Sequence, residues 1–268
     1  MINIATPVSH LFLNKNLPKE VYKISDCFEA RERTSHLRIN KTYLYHIDID
    51  LTAFWNESIK THLLEIIKPQ KKLKLVTFQI TRCCQAEKVI NGKFKLIGKK
   101  FTKEEMFKNS KRNLKWFKSK FGKKIKIGIE NNNYYKAPAY DVITESKFIT
   151  DIVKKNKIFF LLDIAHAMVT AKNRNIDLIK YLNNLPLDSL IQIHICGPLI
   201  KEKYGFDKHR PPQKFIYEII RPILEKYKDN INYLTLEYYR NEKILIKELK
   251  RLRLFVNSIK HNEKEKLK

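Results

Sequence analysis

The stretch that decides the fold is Ile158-Phe-Phe-Leu-Leu-Asp163-Ile-Ala-His166, an apolar run that ends in a carboxylate and an imidazole. Short runs of β-branched and aromatic residues are typical of buried strands. Runs of this kind recur along the chain, with longer amphipathic segments between them. They predict eight strands, at Ile2–Ala5, Cys27–Ala30, Tyr43–Ile49, Leu73–Ile80, Ile125–Glu130, Ile158–Asp163, Leu190–Ile195 and Tyr233–Tyr238.

Four of the segments between these runs carry apolar residues at the i, i+3, i+4 spacing of a helix. They are Ser58–Ile67, Lys103–Phe121, Gln213–Tyr227 and Asn241–Ile259. Eight strands alternating with helices in about 250 residues predict an α/β protein, a single (β/α)8 TIM barrel. We assign residues 1–260 to the barrel and residues 261–268 to a charged, solvated tail. Because the chain has only six glycines, glycine-rich phosphate and dinucleotide loops are excluded.

Composition and apolar patterning indicate in which compartment the protein is found. No run approaches the ~20 apolar residues of a membrane helix, and the N-terminal residues lack the charged and apolar regions of a secretory signal. The four cysteines form neither a disulfide scaffold nor a CxxC motif. The sequence therefore predicts a cytoplasmic protein without a membrane partner.

The formal net charge of +26 is the most conspicuous property of the composition. Arginine supplies only 11 of the 54 positive residues, and lysine, asparagine and isoleucine share A/T-rich codons. Codon drift therefore explains much of the charge. A functional basic surface is the alternative, and its partner would be nucleic acid or an acidic protein or peptide. Such a surface is expected to surround the mouth of the barrel.

Polar residues fall near the predicted C-terminal ends of the strands, where barrel enzymes build their sites. Charged side chains are rarely buried unless they are paired or bound to metal, and crowded carboxylates repel one another unless polyvalent cations intervene. Histidine and carboxylate ligands without thiolates suit zinc, iron or manganese. The sequence predicts a multinuclear metal site with eight ligands: His46, Glu130, Asp163, His166, His194, Asp207, His209 and Glu237.

The spacing of these residues allows more than one ion. A carboxylate such as Glu130 can bridge two metals that lie about 3.5–4 Å apart. Asp207 and His209 can face one ion if their loop is extended. Asp163 and His166 lie three residues apart across a strand end and could serve different ions.

The ordered set resembles two groups of (β/α)8 barrels. One group comprises the endonuclease IV-like and xylose-isomerase-like barrels. The other comprises the multinuclear non-haem iron-dependent oxidases, which modify peptides and include the methanobactin-biosynthesis oxidase. The details favour the oxidases over roughly residues 43–240. The matching segments are Glu130-Asn131, Asp163-Ile-Ala-His166 with Asn173 downstream, His194-Ile-Cys-Gly197, Asp207-Lys-His209 and Leu236-Glu237.

One segment departs from the oxidase pattern. Where the family usually has a histidine on the fourth strand, this chain reads Val76-Thr-Phe-Gln79-Ile-Thr-Arg-Cys83-Cys84. Glutamine is a poor ligand beside imidazole, so one ion is weakly held, held by another residue or absent. A thiol of Cys83 or Cys84 could substitute, although ordinary packing is the more frequent role of such residues. Many relatives also carry asparagine at the position of His166.

The resemblance implies an oxidoreductase with two or three iron ions in a mixed-valent Fe2+/Fe3+ state. It implies that O2 drives the oxidative rearrangement of a residue, commonly cysteine, in a ribosomally made precursor peptide. A partner protein that captures the leader peptide is also implied. Asp163, His194 and Glu237 would ligate the central iron with Glu130 as a bridge. His166, Asp207 and His209 would hold a flanking iron. Gln79, Asn131 and Asn132 would orient ligands or substrate.

Three other functions remain open at this point. A phosphodiesterase of the endonuclease IV type, acting on damaged DNA, is favoured by the net charge and disfavoured by Gln79, since that group also uses a histidine there. A non-catalytic barrel with a degenerate site is the second. A sugar isomerase is the third, although eight ligands exceed what such an enzyme needs. Zinc or manganese are the alternative metals.

Overall fold

The computed structural model describes residues 2–13, 19–90 and 93–266 of the chain. The strands in this part, in chain order, are β1 (Asn3–Pro7), β2 (Cys27–Arg31), β3 (Thr42–Asp50), β4 (Leu75–Gln79), β5 (Cys84–Ile90), β6 (Lys93–Lys100), β7 (Lys126–Glu130), β8 (Phe159–Asp163), β9 (Leu190–Ile195), β10 (Gly197–Ile200), β11 (Gly205–Arg210) and β12 (Tyr233–Leu236). The helices are α1 (Lys19–Ile24), α2 (Glu57–Ile67), α3 (Lys103–Phe121), α4 (Ser146–Asn156), α5 (Ile164–Arg174), α6 (Leu178–Asn183), α7 (Lys214–Tyr227) and α8 (Glu242–Lys266).

Eight parallel strands close into a barrel in the order β1-β12-β9-β8-β7-β4-β3-β2. Each corresponds to one of the eight strands predicted from the sequence, and helices follow most of them along the chain. The predicted (β/α)8 barrel is therefore confirmed. The link from β2 to β3 departs from the regular pattern, because a short 3-10 turn at Glu32–Thr34 stands where a helix would be expected.

The four predicted helices correspond to α2, α3, α7 and α8. The ends of α3 show why its prediction succeeds. Thr102 caps its first turn in a capping box with Glu105, which satisfies backbone N–H groups that have no partner within the helix. Gly122 ends it with a positive φ of 80° that residues with a side chain rarely adopt. Helix α5 was not predicted from the sequence, because Ile164–Ala171 is buried throughout and lacks a polar face.

Two antiparallel hairpins extend the barrel at the C-terminal ends of its strands. Hairpin β5–β6 follows β4, and hairpin β10–β11 follows β9. The second hairpin carries Asp207 and His209 on a strand, where the sequence had suggested a loop. Exposure alternates along β11, and both residues lie on its more buried face. This period of two is the signal that predicts a strand.

The alternation of side chains separates two apolar regions. Ile127 and Ile129 of β7 belong to the main core, which packs the outside of the barrel against the helices. Gly128 and Glu130 alternate with them along the strand and therefore face the inside of the barrel. A smaller buried cluster, mostly near the N-terminal ends of the strands, contains Ala5, Cys27, Leu44, Leu75, Ile191 and Tyr233. The polar site lies towards the opposite ends of the strands.

The last predicted segment is a solvated tail at residues 261–268. The backbone of α8 is helical to Lys266. The side chains from residue 260 onward, and residues 267–268 altogether, lie outside the described part of the structure. The assignment of this tail therefore stays a prediction. Within the described ranges, the helices include none with the length and apolar character needed to span a membrane.

Phe78 tests how far the barrel depends on its outer core. Its ring is fully buried and lies 5.3 Å from the ring of Trp55 and 5.4 Å from that of Phe117. We expect Phe78→Ala to lower the free energy of unfolding by about 3–5 kcal/mol, because it removes buried apolar area and leaves a cavity. Phe54 is 59% exposed, so Phe54→Ala should change it by no more than about 0.5 kcal/mol. Urea unfolding of both variants measures the difference, and equal losses would contradict this placement of the core.

Candidate metal centre

A central group of four side chains lies at the C-terminal ends of β7, β8, β9 and β12. Glu130, Asp163, His194 and Glu237 each offer one ligand atom, and these atoms all lie within 4.8 Å of one another. All four residues are buried, with exposed fractions between 0% and 4%. Four neighbouring strands of a closed barrel thus bring together residues that are up to 107 positions apart in sequence. The group could hold a metal ion.

Glu130 connects the central group to a second one. Its Oε1 lies 3.0 Å from Nδ1 of His194, and its Oε2 lies 3.4 Å from Nε2 of His46. The ligand atoms of His46, Glu130 and His194 also fall within 4.8 Å of one another. Gln79 Nε2 lies 3.4 Å from both His46 Nε2 and Glu130 Oε2. The amide therefore occupies the corner where the resemblance leads one to expect an imidazole.

A third set of side chains lies beside hairpin β10–β11. Asp207 Oδ2 is 3.2 Å from Nδ1 of His209 and 3.6 Å from Nε2 of His166. His209 Nε2 is turned away from Asp207 and lies 3.5 Å from Oε1 of Glu237. The ligand atoms of His209, Glu237 and Cys196 fall within 4.8 Å of one another. The structure thus brings all eight predicted ligands into one mouth, although their role as ligands stays a prediction.

Each of the four histidines has one ring nitrogen held by a neighbour and the other facing the carboxylates. Such an arrangement fixes the ring orientation of a metal-binding histidine. The held atoms and their partners are His46 Nδ1 with Thr77 Oγ1 at 2.9 Å, His166 Nδ1 with the carbonyl oxygen of Asn131 at 2.8 Å, His194 Nε2 with Glu29 Oε2 at 3.1 Å, and His209 Nδ1 with Asp207 Oδ2 at 3.2 Å.

Asn131 and Asn132 contact backbone groups around the site. Asn131 donates from Nδ2 to the carbonyl oxygen of Asp163 and accepts from its backbone N–H, both at 2.9 Å. Asn132 donates to the carbonyl oxygen of Ile80 at 3.0 Å. These contacts tie the end of β7 to the ends of β8 and β4. They fit the predicted orienting role, which acts through the backbone of Asp163.

Glu29, Arg31 and Gln192 were missed by the sequence reasoning. Arg31 Nη2 lies 2.6 Å from Glu29 Oε1 and 2.8 Å from Glu237 Oε1. Gln192 donates to the other oxygen of Glu29 and, at 2.8 Å, to Thr235 Oγ1. The sequence of β2 contains a pattern that indicates Glu29 and Arg31. Cys27, Glu29 and Arg31 alternate with apolar residues and must share one face of the strand.

The thiols considered as substitute ligands lie elsewhere. Cys83 Sγ donates to the carbonyl oxygen of Pro138 at 3.2 Å, and Cys84 Sγ donates to that of Ala86 at 3.1 Å. Both residues are buried and belong to the main core. Cys196, which the sequence reasoning did not single out, is the thiol that joins a group of candidate ligands.

The carboxylates of the mouth differ in the direction in which their pKa values are shifted. Burial alone would raise the pKa of Glu29, but Arg31 and His194 outweigh it and lower this pKa to about 2. Asp163 has only distant cationic partners, because His166 Nε2 and His194 Nδ1 each lie 3.9 Å from its Oδ2. Burial, reinforced by the charges of Glu237 and Glu130, raises the pKa of Asp163 to about 8. The pKa of His194 lies well above its usual value, because the carboxylates of Glu29 and Glu237 overcome its burial. The mouth therefore attracts positive charge.

The unpaired atoms of the central group test whether it fits a metal ion. Asp163 Oδ2, His194 Nδ1 and Glu237 Oε2 are buried and have no hydrogen-bond partner among the described residues. His194 Nδ1 lies 3.4 Å from Glu237 Oε2 and 3.9 Å from Asp163 Oδ2. Ligand atoms about 2.1 Å from one ion lie about 3–4 Å apart. Since buried polar atoms normally have partners, these three fit a shared cation.

Arg31 tests the charge balance of the mouth. We expect Arg31→Met to lower the free energy of unfolding of metal-free protein by about 3 kcal/mol, because Glu29 and Glu237 lose their buried cationic partner. A divalent cation should reduce this loss, since it supplies positive charge to the same carboxylates. Urea unfolding with and without a divalent cation measures both effects. Arg33 is exposed in the same segment, so Arg33→Met is the control; equal losses in the two variants would refute the assignment.

Solved structures with the same architecture include 3-keto-D-glucoside 4-epimerase YcjR from E. coli, at a TM-score of 0.61 and 14% identity, with 96% of this chain and 100% of that chain covered. D-Psicose 3-epimerase from Clostridium cellulolyticum H10 matches at a TM-score of 0.59 and 12% identity, covering 96% and 99% of the two chains. At this identity the likeness concerns the fold alone.

Curated relatives match over shorter stretches. A UPF0276 protein of Acaryochloris marina is 29% identical over 103 residues, which is 38% of this chain and 37% of the relative. A UPF0276 protein of Caulobacter vibrioides is 31% identical over 84 residues, or 31% and 30% of the two chains. The matched stretch thus spans about a third of the length of these relatives.

A family model matches more of the chain. It is the model of the RiPP precursor modification enzyme MbnB/TglH/ChrH, where RiPP denotes a ribosomally synthesised and post-translationally modified peptide. The match covers residues 100–254, which is more than half of the chain, and includes seven of the eight predicted ligands. The chain therefore belongs to the MbnB/TglH/ChrH family of RiPP precursor modification enzymes.

Proposed function

We propose that this protein is a non-haem iron enzyme that uses O2 to modify a residue, most simply a cysteine, of a ribosomally made precursor peptide. One observation carries the proposal: buried ligand atoms of Asp163, His194 and Glu237, which make no hydrogen bond among the described residues, lie close together beside Glu130. The family membership supplies the peptide substrate. The donor set of imidazoles and carboxylates suits iron, with zinc or manganese as alternatives.

Glu130 is suited to bridge two metal positions. Its two oxygens face different histidines, with Oε1 towards His194 and Oε2 towards His46. A carboxylate that presents its oxygens in two directions can hold two ions close together. The central position would use Asp163, His194 and Glu237, with Glu130 shared. Iron bound there would supply the redox chemistry that the activation of O2 requires.

The chain's own residues would orient the site and exclude water. Glu29 holds the Nε2 side of His194, which leaves Nδ1 to face the central group. Arg31 holds one oxygen of Glu237 and leaves the other free. Fixing a ligand through its second atom keeps the ring or carboxylate in position before substrate arrives. These contacts make the central position preorganised.

Substrate access is set by the gradient of exposure across the mouth. The side chains of Asp163 and His194 are fully buried, whereas Asp207 is 10% exposed and His209 is 22% exposed. A peptide would therefore approach over hairpin β10–β11. The net charge of +26 suits an acidic leader peptide or an acidic leader-binding partner protein.

Glu130→Gln tests the metal site without a large change of shape. We expect bound metal to fall by at least half and modification of the precursor peptide to be lost, because the amide removes the negative charge that two positions share. Metal analysis and spectroscopy of anaerobically purified protein measure the first effect, and mass spectrometry of the peptide measures the second. Glu218 on α7 is exposed, so Glu218→Gln should retain both properties.

Three results would contradict the proposal. Full metal content and activity in Glu130→Gln would remove the role of the shared carboxylate. Zinc alone in the purified protein, together with cleavage of abasic DNA, would favour the phosphodiesterase. Protein without bound metal after anaerobic purification and iron supplementation would favour a barrel with a degenerate site.

Gln79→His tests the corner between His46 and Glu130. The amide nitrogen already lies 3.4 Å from both candidate ligand atoms, so an imidazole there should add a competent donor. We expect the variant to bind up to about one more metal ion per chain than the parent protein does. Metal analysis under anaerobic conditions measures the change, and unchanged content would show that the corner does not limit occupancy. Gln70→His, at a distance from the mouth, is the control.

A further inference from the structure

We propose a further, outer cation site formed by Cys196, His209 and Glu237, in which the thiolate of Cys196 is a ligand. The inference rests on the proposed function, because Glu237 would be shared with the central position. The ligand atoms of the three residues lie within 4.8 Å of one another, and Cys196 and Glu237 are buried. Thiolate, imidazole and carboxylate together suit a borderline transition-metal dication such as Fe2+, Co2+ or Zn2+.

The hairpin brings Cys196 beside His209. Cys196 lies between β9 and β10, and the next residue, Gly197, pairs with Arg210. A Cβ atom on Gly197 would lie 2.8 Å from the carbonyl oxygen of Pro211 and 3.2 Å from Cβ of Arg210. Only glycine allows this approach of the two strands. The thiol and the imidazole are therefore neighbours because of the pairing of β10 with β11.

His209 presents the correct nitrogen. Its backbone has a positive φ of 42°, a conformation that residues with a side chain seldom adopt. This turn directs Nδ1 towards Asp207 at 3.2 Å and Nε2 towards Glu237 at 3.5 Å. A carboxylate that holds one ring nitrogen leaves the other available for a cation. Asp207 would thus be a positioning residue for His209.

Glu237 faces both positions. Its Oε1 lies on the side of His209 and Arg31, and its Oε2 lies on the side of His194 with no hydrogen-bond partner among the described residues. The two oxygens therefore point to the outer and central positions respectively. A carboxylate in this orientation can bridge two ions, as Glu130 can on the other side of the centre.

The donor chemistry separates this site from a flanking position made of His166, Asp207 and His209. That position would use only oxygen and nitrogen ligands. In the outer site, the S–H proton of Cys196 leaves to solvent as the bond from sulfur to the cation forms. The dication is then balanced by one thiolate and one carboxylate. The presence or absence of a sulfur–metal bond therefore distinguishes the two arrangements.

Cobalt provides the readout. Metal-free protein is titrated with Co2+ under anaerobic conditions, and its absorption is recorded in the visible and near-ultraviolet regions. We expect both the visible bands of bound Co2+ and an intense thiolate-to-cobalt charge-transfer band. Cys196→Ala should lose the charge-transfer band and keep visible absorption from the central position. Cys27 is equally buried at the opposite end of the barrel, so Cys27→Ala should keep both.

Two further variants test whether the loss of the band comes from the missing thiolate and whether Asp207 positions His209. Cys196→Ser keeps the size of the side chain and should also lose the charge-transfer band; thermal unfolding confirms that it is folded. Asp207→Asn should weaken the cobalt binding that produces this band by about tenfold, because the ring of His209 loses its orienting carboxylate.

The outcomes separate this inference from the proposed function. Visible cobalt absorption without a charge-transfer band in the parent protein, or a band that persists in Cys196→Ala, would overturn the outer site while leaving the central one. A charge-transfer band in the parent protein, with loss of all cobalt absorption in Cys196→Ala, would support the outer site and count against the central one. Absence of any cobalt absorption in the parent protein would overturn both.

Discussion

The crowding of carboxylates at the mouth of the barrel is the constraint on which the rest of the site depends. Glu29, Glu130, Asp163 and Glu237 are all buried, and Asp207 lies at their edge. Buried negative charges must be balanced, because neither water nor distance screens them. The barrel meets part of this requirement with one guanidinium and three imidazoles whose pKa values are raised, and oxygens without a hydrogen-bond partner among the described residues remain on Asp163 and Glu237.

The positive charges that face the carboxylates differ between the two sides of the mouth. On the β2 side, Arg31 lies between Glu29 and Glu237 and supplies one positive charge to the pair, which it keeps at any physiological pH. On the side of β7 and β8, no guanidinium reaches Glu130 or Asp163 among the described contacts, and the ionisable bases that face them are imidazoles. Imidazoles can give up their protons to a metal ion. The second side is therefore where exchangeable cations are expected, and the first side keeps Glu237 in position.

The fold and the site carry different information about function. Solved structures with this architecture include sugar epimerases, at 14% identity or less, and a barrel of this kind hosts many chemistries. The family match comes from the part of the chain that contains most of the candidate ligands. The hairpins after β4 and β9 are additions at the end of the barrel where the site lies. Hairpin β10–β11 changes the donor set, because it carries His209 to Glu237 and Cys196.

The sequence alone determined the eight strands and most of the site. Glu130, Asp163 and His194 were predictable because each polar residue ends or nearly ends an apolar run, and strand ends meet at one rim. Glu29 and Arg31 were missed although they alternate with apolar residues in β2, because they do not end an apolar run as the predicted ligands do. Only the tertiary structure decided which atoms face each other: Glu130 between His46 and His194, and His209 beside Cys196 and Glu237. Those pairings depend on barrel closure and hairpin register, which join residues far apart in sequence and leave no local pattern.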